Sequence, residues 1–314
     1  MSTEKYILVK GPARVSGNLE VHGCKVKSFV VKAGKAFPVK VEPPFEVFGN
    51  YTILDGNPFE DWSSIVEKIG EYSFQRLLVA GKVDVGKTTF VNFIANHFLP
   101  CWVLDADIGQ SDIGPPATIA SAFLEEKVAD ISLLKPDFME FVGSFDITRN
   151  IKAFEAALKK VLEKSLSQRK EKVIIDTPGF IEPWFLELEV KVIKPDLVIF
   201  IGDGEFPLKN SNDFKLIKLK PLKGIKSKSR EERIFLRKSA FINHFENARI
   251  VRIQHKIKVI NEEKLKLGSL LGIYQNEDFM DIGLVVKEKP LKIKTNASKF
   301  NRIKVSDITL KDII

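Results

Sequence analysis

"LLVAGKVDVGKTTFVNFIANHFLPCWVLDADIGQSDIGPP", Leu77 to Pro116, holds two loops that both suit phosphate and metal. The first follows the apolar run Leu77-Leu78-Val79-Ala80, which reads as a strand, and precedes Phe90, Phe93, Ile94 and Phe98 at helical spacing. Between them Gly81, Lys82, Val83, Asp84, Val85, Gly86, Lys87 and Thr88 fit G-x-x-x-x-G-K-[ST], and Thr89 follows inside the helix. Glycines let the backbone wrap closely around a phosphate, and the loop amides and helix start attract its charge. Lys87 can reach the β- and γ-oxygens of a nucleotide, and Thr88 can hold Mg²⁺. A chance glycine-rich turn is the bland alternative, but it would not require a strand before it and a helix after it.

The second loop, Leu104 to Pro116, follows a strand expected to lie beside the first. Asp107 at that strand's end can hold Mg²⁺, directly or through water, or accept the proton of an attacking hydroxyl, while Asp105 supports the loop. A third acid, Asp176 in "VIIDTPGF", ends another strand and is a candidate metal-site carboxylate. "DTPG" also matches the D-x-x-G switch of GTPases, yet N-K-x-D occurs nowhere in the chain, which weakens that alternative.

The 314 residues leave room for two or three modest domains. A net charge of +8 suits an anionic partner such as nucleic acid, although abundant acids accompany the bases. Cys24 and Cys101 offer neither a disulfide framework nor a cysteine-rich zinc site, and His22, His97, His244 and His255 show no metal-ligand spacing. No signal-peptide pattern or membrane-length apolar run appears, so an intracellular, cytoplasmic protein without a membrane partner is expected, nuclear if the source is eukaryotic.

The expected fold class is α/β: a central P-loop NTPase domain with a mainly parallel sheet, flanked by small N-terminal and C-terminal β-rich domains. Residues 1–58, with alternating runs such as "FPVKVEPPFEVFG", read as the first β-domain, and Asp61 reads as the cap of a helix after it. Residues 59–246 read as the P-loop domain, with strands near 76–80, 101–105, 138–143, 172–176 and 196–201 and helices near 87–98, 150–166 and 184–193. Residues 247–314 return to β-type runs. Near 215–246 the chain is basic, with Lys218, Lys220, Lys223, Lys226, Lys228, Arg230, Arg233 and Arg237, and a helix is expected near 230–246. Arg233 and Arg237, four apart, share one face of that helix. A solvated charged segment is the plain alternative.

The pairing of "DVGKTT" with "DADIGQSDIGPPATIA" resembles the polynucleotide 5′-hydroxyl kinases, RNA kinases that include an mRNA cleavage-factor subunit, a nucleolar pre-rRNA-processing enzyme and archaeal polyribonucleotide kinases. "LVKGPARVSGNLEVHG", "VIIDTPGFIEP" and "LGSLLGIYQNEDFMDIGLVV" extend the resemblance over nearly the whole chain. It implies transfer of the γ-phosphoryl group of ATP, with Mg²⁺, to the 5′-hydroxyl of RNA or DNA. It also implies an N-terminal domain that encloses the adenine, and a lid near 215–246 whose Arg233 and Arg237 close over the γ-phosphate. Lys87 and Asp107 complete the expected catalytic set, and Gln110, Pro115 and Thr118 are expected at the RNA end. The chain departs from the family at Gly143-Ser144-Phe145-Asp146, where many relatives carry a Thr- or Ser-rich G-S-T-x-P, at Phe180 in place of Trp, and at Asp176, where several have Asn. A non-catalytic ATP-binding scaffold in an RNA-processing complex and a P-loop ATPase or GTPase switch are the rival functions.

Overall fold

The computed structural model describes residues 4–208, 213–222, 227–254 and 256–310. Three sheets follow one another along the chain. β1 (Lys5–Val21), β2 (Cys24–Val31) and β3 (Ala36–Leu54) form an antiparallel sheet in the order β2-β1-β3. β3 folds over β1 so that Val9 lies opposite both Phe37 and Tyr51. Side chains alternate across a strand, and Ile7, Val9, Val15, Val39 and Val41 accordingly meet in one buried cluster.

The central sheet runs through α1 (Glu60–Gly70), β4 (Arg76–Gly81), α2 (Lys87–Ala95), β5 (Cys101–Asp105), β6 (Thr118–Leu124), β7 (Phe138–Phe141), α3 (Ile151–Gln168), β8 (Lys172–Asp176), α4 (Pro183–Ile193), β9 (Leu197–Ile201) and β10 (Lys215–Leu219). The strand order is β10-β9-β4-β8-β5-β6-β7. The first five in that order are parallel and β6 and β7 alternate in direction, so β4, β5 and β8 all end at one edge. Helices cover both faces, which explains why Leu77 to Ala80 and Leu197 to Ile201 are apolar at every position. Leu77, Val79 and Ile199 pack toward α2, while Leu78, Ala80 and Val198 pack toward α3 and α4.

After α5 (Arg230–Phe245), strands β11 (Arg249–Arg252), β12 (Lys258–Ile260), β13 (Ser269–Gln275), β14 (Asp278–Lys287), β15 (Lys292–Thr295) and β16 (Arg302–Thr309) form the third sheet, ordered β11-β15-β14-β13-β16-β12. Phe241 and Phe245 of α5 are buried in its core against Leu270, Ile282 and Leu284.

Several local expectations differ from the structure. Asp61 lies inside the first turn of α1, and Phe59 occupies the cap position without a side-chain bond. α2 stops at Ala95 and β7 at Phe141, each short of the expected length. Residues 118–124 form a strand in addition to those expected, because pairing with β5 satisfies their backbone and all but Phe123 are buried. Lys215 and Lys218 belong to the edge strand β10 and are exposed, while Ile217 and Leu219 are buried. Lys223, Lys226 and His255 lie outside the described residues. Among the described residues no helix is long and apolar enough to cross a membrane.

Candidate active site

The ends of β4, β5 and β8 meet in a cleft of about 400 Å³ roofed by the start of α5 and walled on one side by the N-terminal sheet. Gly81 opens the phosphate loop at φ +153°, where a Cβ would lie 2.4 Å from the carbonyl oxygen of Ile201. Gly86, also left-handed, caps α2, and the first intrahelical bond runs from the Phe90 amide to Gly86. The amides of Lys87, Thr88 and Thr89 therefore have no partner inside their helix and are ready donors to an anion. Lys87 is buried, and its Nζ donates to the Lys82 carbonyl at 2.9 Å, which folds the ammonium over the loop. Gly179 after β8 passes so close that a Cβ there would sit 2.3 Å from Cγ1 of Val83.

Thr88 Oγ1 donates to Asp176 Oδ2 at 2.5 Å, and Asp176 Oδ1 is buried without a protein partner. Burial pushes the Asp176 carboxyl up to about 7 against the opposing influence of the Lys87 charge and the Thr88 bond. The Thr88 hydroxyl and Asp107, which line the cleft, and the orphaned oxygen of Asp176, buried behind the Thr88 bond, form an oxygen donor set suited to Mg²⁺. Among the described residues no group of three His, Cys, Asp or Glu side chains forms a metal cage. Magnesium that keeps several waters and binds substrate phosphates needs none.

Asp105 organises the second loop. Its Oδ1 accepts from the Asp107 amide at 3.0 Å, and its Oδ2 accepts from the Ser111 hydroxyl and the amides of Asp112 and Ile113 at 2.9, 2.6 and 2.9 Å. Asp107 Oδ1 in turn accepts from the amides of Gly109 and Gln110 at 2.9 and 3.0 Å, so its carboxylate is fixed where it lines the cleft. Gln110 Nε2 donates to the Arg233 carbonyl at 3.3 Å and ties this loop to α5.

Of the two arginines, Arg233 lines the cleft and pairs with Asp84 at 2.6 Å. Arg237 stacks over Phe145, 5.1 Å from the ring centre, within reach of the charges of Asp107 and Arg233. Lys82 and Val85 complete the loop, while Val83, Asp84, Gly86, Thr88 and Thr89 line the cleft with Lys87. Pro115 and Thr118 do not reach it. Thr118 is fully buried at the head of β6, and its hydroxyl donates to the Pro115 carbonyl at 2.7 Å.

The N-terminal sheet supplies residues that sequence reasoning missed. Lys35 Nζ bridges Asp112 at 2.6 Å and Asp130 at 3.0 Å. His22 is buried with its Nδ1–H donating to the Ala129 carbonyl, and Phe37 lies beside both. Asp112 stands inside the quoted second loop, but its partner is far away in sequence and no local signal marks the pairing.

Comparison with known proteins gives one family. The model of the mRNA cleavage and polyadenylation factor CLP1 P-loop family matches residues 81–247. A polyribonucleotide 5′-hydroxyl-kinase of Pyrococcus furiosus is 33% identical over 203 residues, covering 62% of this chain and 57% of that protein. One of Methanocaldococcus jannaschii is 32% identical over 219 residues, covering 65% and 59%. The matched stretch thus spans less than two thirds of either relative. A solved structure of a wild-type Clp1p–Pcf11p complex contains a chain that superposes with a TM-score of 0.71 over 98% of this chain and 94% of that one, at 12% identity, a likeness of fold. With the family match covering more than half of its length, the chain belongs to the mRNA cleavage and polyadenylation factor CLP1 P-loop family.

Proposed function

We propose that this protein is an ATP-dependent polynucleotide 5′-hydroxyl kinase acting on RNA ends in preference to DNA. The observation that carries the reading is the convergence on one cleft of the Lys87 loop, the Thr88–Asp176 corner, the fixed Asp107 carboxylate and Arg233. The names of the polyribonucleotide 5′-hydroxyl-kinases among its relatives support the same reading.

In this reading the loop amides and Lys87 hold the β- and γ-phosphates, and His22, Phe37 and Ile131 on the N-terminal side enclose the base. Thr88, Asp176 and Asp107 are the side chains that would hold Mg²⁺, which would supply neutralisation of the phosphate charge. Asp107 accepts the proton of the 5′-hydroxyl as the new O5′–Pγ bond forms and the bond from Pγ to the bridging oxygen of ADP breaks. Phosphoryl transfer asks for positioning and charge stabilisation more than covalent chemistry, and a carboxylate held by two amides meets that demand. The Arg233 guanidinium, with Arg237 one turn behind it, stabilises charge on the transferring group. Gln110, which lines the cleft, contacts the terminal nucleotide in this reading. Clp1p has been solved with Pcf11p, and an RNA-processing assembly is the corresponding partner class proposed here.

Incubation of the purified protein with γ-labelled ATP, Mg²⁺ and 5′-hydroxyl RNA or DNA oligonucleotides tests the reading, with 5′-phosphorylated oligonucleotides and Lys87→Ala as controls. Label is expected on 5′-hydroxyl ends only, more on RNA, and absent with Lys87→Ala. Nucleotide binding without label transfer to any end would identify a scaffold instead.

A further inference from the structure

Asp84 stands in the middle of the phosphate loop, where a negative charge faces the wrong way for a nucleotide. Its backbone is left-handed at φ +59°, and all three of its described bonds leave the loop for the lid. Oδ2 accepts from the Ser227 hydroxyl at 2.9 Å, the Lys228 amide at 2.9 Å and the Arg233 guanidinium at 2.6 Å. These partners are 143 to 149 residues away in sequence. They are the last residues before α5 and its first turn, and the helix start is itself fixed by a capping box between Ser229 and Glu232.

We infer that Asp84 is a positioning residue for Arg233: the phosphate loop carries its own docking post for the arginine helix, so that whatever places the γ-phosphate also places the cation that meets it. This rests on the kinase reading above. Arginine has five donors in a rigid fork. Asp84 engages one nitrogen of Arg233, and the residue lines the cleft alongside Lys87 and Asp107. The Asp84 side chain is 12% exposed and that of Arg233 29%, so the pair is shielded from solvent screening. Burial alone would raise the Asp84 carboxyl, but the Lys228 amide, Arg233 and Ser227 outweigh it and hold the group below its ordinary value. The carboxylate is therefore charged in the resting protein, and its charge is spent on the lid rather than on repelling phosphate.

A side chain that only stabilised the fold would lose ATP affinity and turnover together, or neither. A docking post for a transition-state cation behaves differently. Asp84→Ala removes a negative charge from beside the phosphates while releasing Arg233. Turnover at saturation should fall by roughly 10- to 100-fold, with the KM for ATP unchanged or lower. Asp84→Asn keeps an oxygen acceptor for Ser227 and Lys228 but loses the charge that holds the guanidinium, and should fall in between. Combining Asp84→Ala with Arg233→Lys should be no worse than the more damaging single change, because both remove one unit.

The experiment measures single-turnover transfer from ATP to a 5′-hydroxyl RNA for the wild type, both Asp84 variants, Arg233→Lys and the Asp84→Ala/Arg233→Lys double variant. Amide hydrogen exchange of residues 229–233 is followed in the nucleotide-free proteins. Faster exchange there in Asp84→Ala, a selective loss of turnover and non-additivity with Arg233→Lys are the expected results. Unchanged exchange, or full additivity of the two substitutions, would overturn the inference. If the wild type transfers no label, the kinase reading falls, and the exchange data alone then decide whether Asp84 docks the lid.

Discussion

Thr88 and Asp176, one at the head of α2 and the other at the foot of β8, share a single hydrogen bond of 2.5 Å that leaves Asp176 Oδ1 bare. The two side chains thus occupy the same corner before any cation arrives. Replacing either, as Thr88→Val or Asp176→Asn, should raise the Mg²⁺ concentration needed for half-maximal transfer by roughly tenfold, as for loss of one ligand or its partner. Titrating Mg²⁺ at saturating ATP checks this. A requirement unchanged in both variants would remove the corner from the metal site.

Asp107→Asn separates charge from shape. Asparagine keeps an Oδ1 that can accept from the Gly109 and Gln110 amides, so the loop turn survives while the carboxylate is lost. Turnover should fall by about 10²-fold or more with little change in ATP affinity, because proton acceptance acts in the transition state. Single-turnover rates beside equilibrium ATP binding give the comparison.

His22 makes stability depend on acid. Burial lowers its imidazole to about 4, against an ordinary value of 6.5, and the neutral ring donates to Ala129. The folded pKa is the lower of the two, so its contribution is fully present above about 6.5 and is lost as pH falls through about 4. The full loss is about 3 kcal/mol. His22→Asn, whose amide can reach the same carbonyl, should flatten the dependence of thermal midpoint on pH between 4 and 6.5.

Glu189 on α4 works in the opposite direction. Both its oxygens are buried and unbonded among the described residues, and burial raises its carboxyl well above the usual range. A raised acid contributes stability that is present at low pH and lost as pH rises through the folded value. Glu189→Met should therefore stabilise the protein by roughly 1–3 kcal/mol, the usual cost of an unsatisfied buried group, and more at pH 8 than at pH 5. Denaturant unfolding at the two pH values is the measurement.

What could be read from the chain beforehand was whatever is written locally. The phosphate loop, its strand and its helix announce themselves within about twenty residues, and "SREERIFLRK" spells a helix start with two arginines on one face. Asp105 and Asp107 stand two apart, and the loop they organise closes on itself within eight residues. What could not be read lies where partners are distant. Nothing near Asp84 points to Arg233, and nothing near Lys35 points to Asp112 or Asp130, since these pairings exist only after three sheets have packed. The burial of Thr118 is hidden for a related reason. A polar residue after two prolines reads as loop, whereas pairing of β6 with β5 draws it into the interior. Lys215 and Lys218 look like part of a basic lid because both are exposed on a strand at the edge of the central sheet.

α5 begins against the phosphate loop and ends with Phe241 and Phe245 inside the C-terminal core, while His244 donates to Asp281 there at 2.9 Å. Sixteen residues of continuous helix make a rod of about 24 Å. A flap on a loop could swing alone, but a rod clamped at its far end is a lever. A movement of its first turn away from the phosphate loop would therefore be transmitted to the C-terminal core. The C-terminal sheet, which among the described residues lends no side chain to the cleft, is thereby coupled through α5 to the position of Arg233.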